Sequence, residues 1–96
     1  MKYLKLLILF LVIQATCFAQ NASVTLQMRN ATIENILKEI EKQTEYRFFY
    51  DAGEIRVDGQ ANAAWRAKPL NEALTELFDR RGVAFRVVDR QIVLYT

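Results

Sequence analysis

Residues 32–51 read TIENILKEIEKQTEYRFFYD, and this stretch decides the fold because its hydrophobic period changes once along its length. Its first part carries apolar residues at helical spacing, namely Ile33, Ile36, Leu37 and Ile40. Charged residues stand between them, and Thr32 lies where a helix N-cap is expected. The last part alternates, with Tyr46, Phe48 and Tyr50 on one face and Arg47, Phe49 and Asp51 on the other. The stretch therefore predicts an amphipathic helix to about Thr44, followed by a strand.

A strand pattern precedes this helix. Residues 23–29 alternate between an apolar set, Val24, Leu26 and Met28, and a polar set, Thr25, Gln27 and Arg29. Such alternation is typical of a strand with one buried face. Within the helix, Glu34 and Lys38 are spaced to form an ion pair between successive turns.

A second helix and three more strands are predicted downstream. Residues 61–66 form a weaker strand pattern, and Pro69 then suits the first turn of a helix. The apolar face of that helix is Leu70, Ala73, Leu74, Leu77 and Phe78. Glu76 and Arg80 have ion-pair spacing, and Gly82 suits a helix C-terminal cap. Alternation returns at Val83, Phe85 and Val87, and residues 91–96 complete the chain as a last strand.

The second half of the chain repeats the first at an offset of 37 positions. Ile33 then coincides with Leu70, and the alternating aromatic segment coincides with Val83, Phe85 and Val87. The repeated unit is β-α-β, and a final strand follows the second copy. The sequence thus predicts an α+β domain of order β-α-β-β-α-β-β, with two helices packed against small sheets. Tyr46 and Phe48 are expected in the core, whereas Phe49 is either covered by the second sheet or exposed to a partner.

The first 19 residues have the organisation of a secretory signal peptide, and residues 20–96 form the predicted domain. Lys2 and Lys5 precede the apolar run LLILFLVI, and small residues end at Ala19. Gln14 is a poor match to a lipoprotein signal before Cys17. Removal of the leader leaves 11 basic and 11 acidic residues, and no span of the membrane is expected after cleavage. A neutral, exported domain argues against nucleic-acid binding.

The predicted domain contains few residues with catalytic chemistry. It has no histidine and no cysteine, and Ser23 is its one serine. Neither a nucleophile–base pair nor a zinc motif is present in the sequence, so no catalytic residue, metal or cofactor is predicted. Pairs of carboxylates such as Glu72 and Glu76 are interpreted as solvated helix faces.

Two long segments, residues 24–51 and 68–95, together resemble the secretin and TonB N-terminus short domain. The ordered features are VTLQMRNATIENILKEIEKQTEYRFFYD and then KPLNEALTELFDRRGVAFRVVDRQIVLY, and the resemblance runs from about Val24 to Tyr95, nearly the whole predicted domain. The version most similar is the one in TonB-dependent transporters of the starch-utilisation type in Bacteroidota. Lys68 departs from the pattern, because the second helix of the family usually opens with Ser or Thr.

The resemblance implies a non-catalytic periplasmic module, which in a longer protein would be associated with the outer membrane. Its expected partner is the periplasmic domain of an anti-sigma regulator. The alternatives are a ring-forming secretin domain, whose partner is a neighbouring subunit, or a fragment of a transporter with no independent function.

A partner is expected to bind by adding a strand to an exposed sheet edge. The candidate edges are the first strand, with Thr25, Gln27 and Arg29, and the last strand, with Gln91, Val93 and Tyr95. Arg47 and Phe49 are expected to contact the partner from the outer face of their strand.

Overall fold

The computed structural model describes residues 22–96, so the predicted signal peptide, residues 1–19, lies outside the described residues. The elements are β1 (Ser23–Thr32), α1 (Ile33–Gln43), β2 (Arg47–Phe49), β3 (Gln60–Pro69), α2 (Leu70–Leu77), β4 (Ala84–Val88) and β5 (Gln91–Tyr95). This confirms the predicted α+β class and the predicted order of elements. Among residues 22–96, no helix is long and apolar enough to cross a membrane.

The strands form two separate sheets. β1 and β3 are an antiparallel pair, while the second sheet has the order β2-β5-β4. In that sheet β5 runs parallel to β2 and antiparallel to β4. The prediction that the last strand forms a sheet edge is therefore wrong. β5 has no counterpart in the first repeat, and it joins the strands that end the two repeats.

The internal repeat is confirmed in the pairing of the first sheet. β1, α1 and β2 begin 37 positions before β3, α2 and β4, respectively. The register of β1 with β3 is symmetric under this offset, because Ser23 pairs with Pro69 at one end and Thr32 with Gln60 at the other. A pseudo-twofold axis thus passes through the central pair, Gln27 and Ala64.

Equivalent hydrogen bonds begin the two helices. The N–H of Ile33 donates to the carbonyl of Gly59 at 2.9 Å, and the N–H of Leu70 donates to the carbonyl of Ala22 at 2.8 Å. Each repeat therefore supplies an acceptor to the first N–H of the other repeat's helix, a group that has no partner within its own helix. In α1 a side-chain cap from Thr32 adds to this bond, whereas α2 has no side-chain cap because Pro69 cannot provide one.

The two irregularities of the β1–β3 pair are also equivalent. Asn30 (φ 49°) and Ala67 (φ 48°) have left-handed backbone conformations and interrupt the register. The N–H of Asn30 donates to Oδ1 of Asn62 at 2.8 Å, and the N–H of Ala67 donates to Oγ1 of Thr25 at 2.9 Å. Each irregularity is thus hydrogen-bonded by a side chain of the facing strand.

One hydrophobic core is shared by both helices and both sheets. It contains the predicted apolar faces of α1 and α2, together with Val24, Leu26, Tyr46, Phe48, Ile92 and Leu94. The predicted burial of Tyr46 and Phe48 is confirmed. Trp65 of β3 is also fully buried, although its strand pattern was the weakest in the sequence.

Both predicted ends of α1 are confirmed, whereas for α2 the start next to Pro69 is confirmed and the C-terminal cap is wrong. Thr32 is the N-cap of α1, with its Oγ1 accepting from the N–H of Asn35 at 3.1 Å, and Thr44 is the C-cap. The helix α2 ends at Leu77, so Gly82 is not its cap. Residues 78–82 are a turn in which Arg80 (φ 62°) and Gly82 (φ 71°) have left-handed conformations. This turn directs the chain into β4.

Candidate functional site

One face of the three-stranded sheet is exposed, and we call it the outer face. Alternation along the strands places eight residues there: Arg47 and Phe49 of β2; Gln91, Val93 and Tyr95 of β5; Ala84, Arg86 and Val88 of β4. The opposite face contributes Phe48, Ile92 and Leu94 to the core. The register aligns Phe49, Val93 and Arg86 in one row across the sheet.

Five of the eight residues predicted to bind a partner lie together on the outer face. They are Arg47, Phe49, Gln91, Val93 and Tyr95. The other three, Thr25, Gln27 and Arg29, are exposed on β1 in the other sheet. The structure adds Ala84, Arg86 and Val88, which sequence reasoning missed. Their alternation was visible in the sequence, but only the β4–β5 register brings them beside Val93.

The outer face contains an apolar patch. The large hydrophobic residues exposed in the described chain are Phe49 (49%), Val87 (43%), Val88 (45%) and Tyr95 (45%), and all four belong to this sheet. Three of them lie on the outer face around the half-buried Val93. The β1–β3 sheet does not cover Phe49, so of the two alternatives for this residue the exposed one holds. Neighbouring exposed apolar residues are typical of an interaction surface.

The charge of the outer face is positive. None of its eight residues, all within the described part of the chain, is acidic. The guanidinium of Arg47 donates from Nη1 to the carbonyls of Tyr46 (2.9 Å) and Glu41 (3.2 Å), and is thereby held near the C-terminal end of α1. The guanidinium of Arg86 has no hydrogen bond or ion pair with the other described residues, although the backbone of Arg86 pairs with that of Val93. Its charge is available to a molecule that approaches β4.

Side chains of α1 form hydrogen bonds with backbone groups on two strand edges. On β1, the N–H of Thr25 donates to Oε1 of Gln43 at 2.9 Å, and Nε2 of Gln43 donates to the carbonyl of Thr25 at 2.7 Å. On β2, the N–H of Phe48 donates to Oε2 of Glu41 at 2.9 Å. The predicted edge at Thr25 is therefore already paired within the chain.

A polar cluster of Trp65, Lys68 and Glu76 joins β3 to α2. The indole Nε1 of Trp65 donates to Oε2 of Glu76, and Nζ of Lys68 lies 2.9 Å from Oε1. These hydrogen bonds, that from Trp65 foremost, and the charge of Lys68 lower the pKa of Glu76 below its ordinary value. Glu76 is thus more than a solvated helix residue, and its predicted pair with Arg80 is wrong. The adjoining surface cavity of about 430 Å³ is lined by six polar residues including Asn71 and Thr75.

Residues 22–96 contain no group of three His, Cys, Asp or Glu residues placed to hold a metal ion. No protein-family model matches the chain, and no curated protein matches it at a significant level. Its function is therefore inferred from its own residues.

Proposed function

We propose that this protein is a non-catalytic periplasmic interaction module that reports the state of an outer-membrane transporter. Its partner is the periplasmic domain of an anti-sigma regulator, and it binds that partner through the outer face. The observation that carries the proposal is the patch formed by Phe49, Val88 and Tyr95 around Val93. A domain this small has little apolar area to spare from its core, so an exposed apolar patch favours a role in binding.

The composition of the outer face also supports an interaction surface. Tyr, Phe and Arg are the residue types that contribute most to protein–protein affinity, because they combine large contact area with directional polar groups. Phe49, Tyr95, Arg47 and Arg86 supply these types on a single sheet face. The resemblance in residues 24–51 and 68–95 supplies the identity of the partner and the compartment.

Binding to a purified regulator domain tests this function. The periplasmic domains of the anti-sigma regulators encoded in the source genome are titrated calorimetrically with the protein. We expect Phe49→Ser and Tyr95→Ser each to weaken binding about tenfold or more, as for aromatic hot spots. Both side chains are about half exposed, so the variants are expected to fold.

The matched control is Lys38→Ser on α1, away from the outer face. Lys38 is exposed, and its ion pair with Glu34 (3.3 Å) is solvated. This variant should bind as the unaltered protein does. Full affinity in both aromatic variants, or the same loss in the control, would refute a role for the outer face.

A further inference from the structure

We propose that the partner docks by adding an extended strand to the outer edge of β4, and that this strand carries a carboxylate opposite Arg86. The inference rests on the proposed function, because it specifies how the partner binds and what chemistry it presents. It concerns an edge that the sequence did not single out.

The β4–β5 hairpin determines which backbone groups of β4 are available. Two residues, Asp89 and Arg90, connect the strands, and Val88 pairs with Gln91 next to them. With so short a connection, this closing pair must be hydrogen-bonded in both directions. Hydrogen-bonded and non-hydrogen-bonded pairs alternate along an antiparallel ladder, so Phe85 and Val87 direct their N–H and C=O groups away from β5.

These outward groups have no partner within residues 22–96. The corresponding groups at Thr25 of β1 and Phe48 of β2 are bonded by Gln43 and Glu41. Exposed edges with unpaired backbone groups are templates for an additional strand. β4 is also five residues long, against three in β2, and so offers the longer ladder in its sheet.

The side chains of an incoming strand would find apolar contacts beside this edge. Val87 lies on the core side of β4, opposite Ile92, and yet remains 43% exposed because no element covers the end of the strand. A surface cavity of about 380 Å³ adjoins the start of β4 and includes Phe78, Phe85 and Thr75 in its lining. An added strand would cover Val87 and place apolar side chains toward this cavity.

Charge favours an acidic strand over a second copy of this chain. The register that pairs β4 of two copies over its full length is centred on Arg86, and it would place the two arginines directly opposite each other. Like charges in that position destabilise strand pairing, and opposite charges stabilise it. A carboxylate on a partner strand would instead pair with the guanidinium of Arg86, which has no partner within the described chain.

Two synthetic peptides test the proposal by nuclear magnetic resonance. One is acetyl-Ser-Thr-Val-Glu-Val-Thr-Ser-amide, and the other has lysine in place of glutamate. At millimolar concentration the glutamate peptide should shift the amide signals of Phe85 and Val87 and slow their exchange with solvent. It should bind about threefold or more tightly than the lysine peptide, the size of a cross-strand charge effect.

Two variants make the test specific. Arg86→Glu should reverse the preference between the peptides, whereas the matched control Arg66→Glu, on an exposed position of β3 in the other sheet, should leave it unchanged. Val87→Pro removes one outward N–H from an edge strand and should abolish binding of both peptides. If that variant fails to fold, the reversal in Arg86→Glu still decides the matter.

The outcomes separate this inference from the proposed function. Peptide binding that shifts Phe49 and Val93 but not Phe85 and Val87 would overturn strand addition at β4, as would no binding at all. Concentration-dependent protection of Phe85 and Val87 without peptide would overturn it in favour of a second copy. In each case the response of the regulator domain to Phe49→Ser would still test the proposed function independently.

Discussion

Two residues at equivalent positions of the repeats differ in how readily they adopt the backbone conformation required there. Asn30 and Ala67 both have left-handed conformations, with φ of 49° and 48°. Asparagine adopts this conformation more readily than alanine, because its short polar side chain can hydrogen-bond locally and offset the crowding at Cβ. The first repeat thus has the better residue at this site.

We expect Ala67→Asn to raise the free energy of unfolding by about 0.5 kcal/mol, a part of the roughly 1–2 kcal/mol that the left-handed conformation costs. Asn30→Ala, the reciprocal change, should lower it by a similar amount. Urea denaturation measures both, and an unchanged m-value would show that the effect is on stability. A loss of stability in Ala67→Asn would contradict the equivalence of the two sites.

Glu76 makes the stability of the protein depend on pH. Its pKa is lower in the folded protein than in the unfolded chain, chiefly because Trp65 and Lys68 hydrogen-bond to the charged form. The stabilisation is therefore complete above the unfolded pKa and is lost as pH falls through the lower, folded pKa. This carboxylate is partly exposed, so the effect is small.

Glu76→Gln should lower the free energy of unfolding at neutral pH by about 1 kcal/mol, below the usual range for a hydrogen bond to a charged group because solvent screens the site. As pH falls through the lowered pKa of Glu76, the difference from the unaltered protein should shrink, since the glutamate becomes protonated. Glu72→Gln, on the same helix, is the control. A difference that is constant with pH would exclude the charge as its cause.

At the scale of elements, the helix α1 protects strand edges as well as the core. Its apolar face packs inward, while Gln43 pairs with the backbone of Thr25 and Glu41 with that of Phe48. Long polar side chains near the end of one helix thus occupy positions where a foreign strand could otherwise pair.

We expect Gln43→Ala to lower the free energy of unfolding by about 1 kcal/mol, because two hydrogen bonds at an exposed site are lost. The variant should also form dimers or larger species at high concentration, since Thr25 regains free backbone groups. Thermal denaturation and sedimentation velocity measure the two effects. Lys42→Ala, which removes only a solvated ion pair with Glu39, should change neither measurably.

The sequence predicts the individual helices and strands better than it predicts which strands pair with each other. The apolar stripes of α1 and α2 and the cap at Thr32 follow from spacing within a few residues. The end of α2 does not, because the turn that ends the helix begins at Phe78, where the apolar pattern still continues, and includes the left-handed Arg80. The central position of β5 depends on its pairing with β2, more than 40 positions away, which periodicity does not encode.

At the scale of the whole molecule, the predicted leader is expected to direct the protein to the periplasm. The basic start, apolar run and small residues before Gln20 are expected to direct export and cleavage. Expressed with its leader in a Gram-negative host, the protein should be recovered from the periplasm with the mass of residues 20–96. Recovery of the uncleaved chain, or a lipid attached at Cys17, would contradict this organisation.

The repeat explains why the class of fold was predictable and the site only in part. Two copies of one β-α-β pattern indicated an α+β domain, and alternation placed Arg47 and Phe49 on the strand face opposite Phe48 but left open whether Phe49 is covered. The site also needs the long-range order β2-β5-β4, which gathers residues of three strands on one face. Arg86 and Val88 enter the site only through that order.

The exchange of acceptors between the repeats has a consequence for how the protein opens. Ile33 donates to Gly59 and Leu70 donates to Ala22, so displacement of either repeat leaves the first N–H of the other repeat's helix without its acceptor. Unfolding should therefore be a single cooperative event. The slowest-exchanging amides of α1 and α2 should share one opening free energy in hydrogen-exchange experiments. A protease that cannot cut the folded protein would then find no stable half-unfolded form to attack.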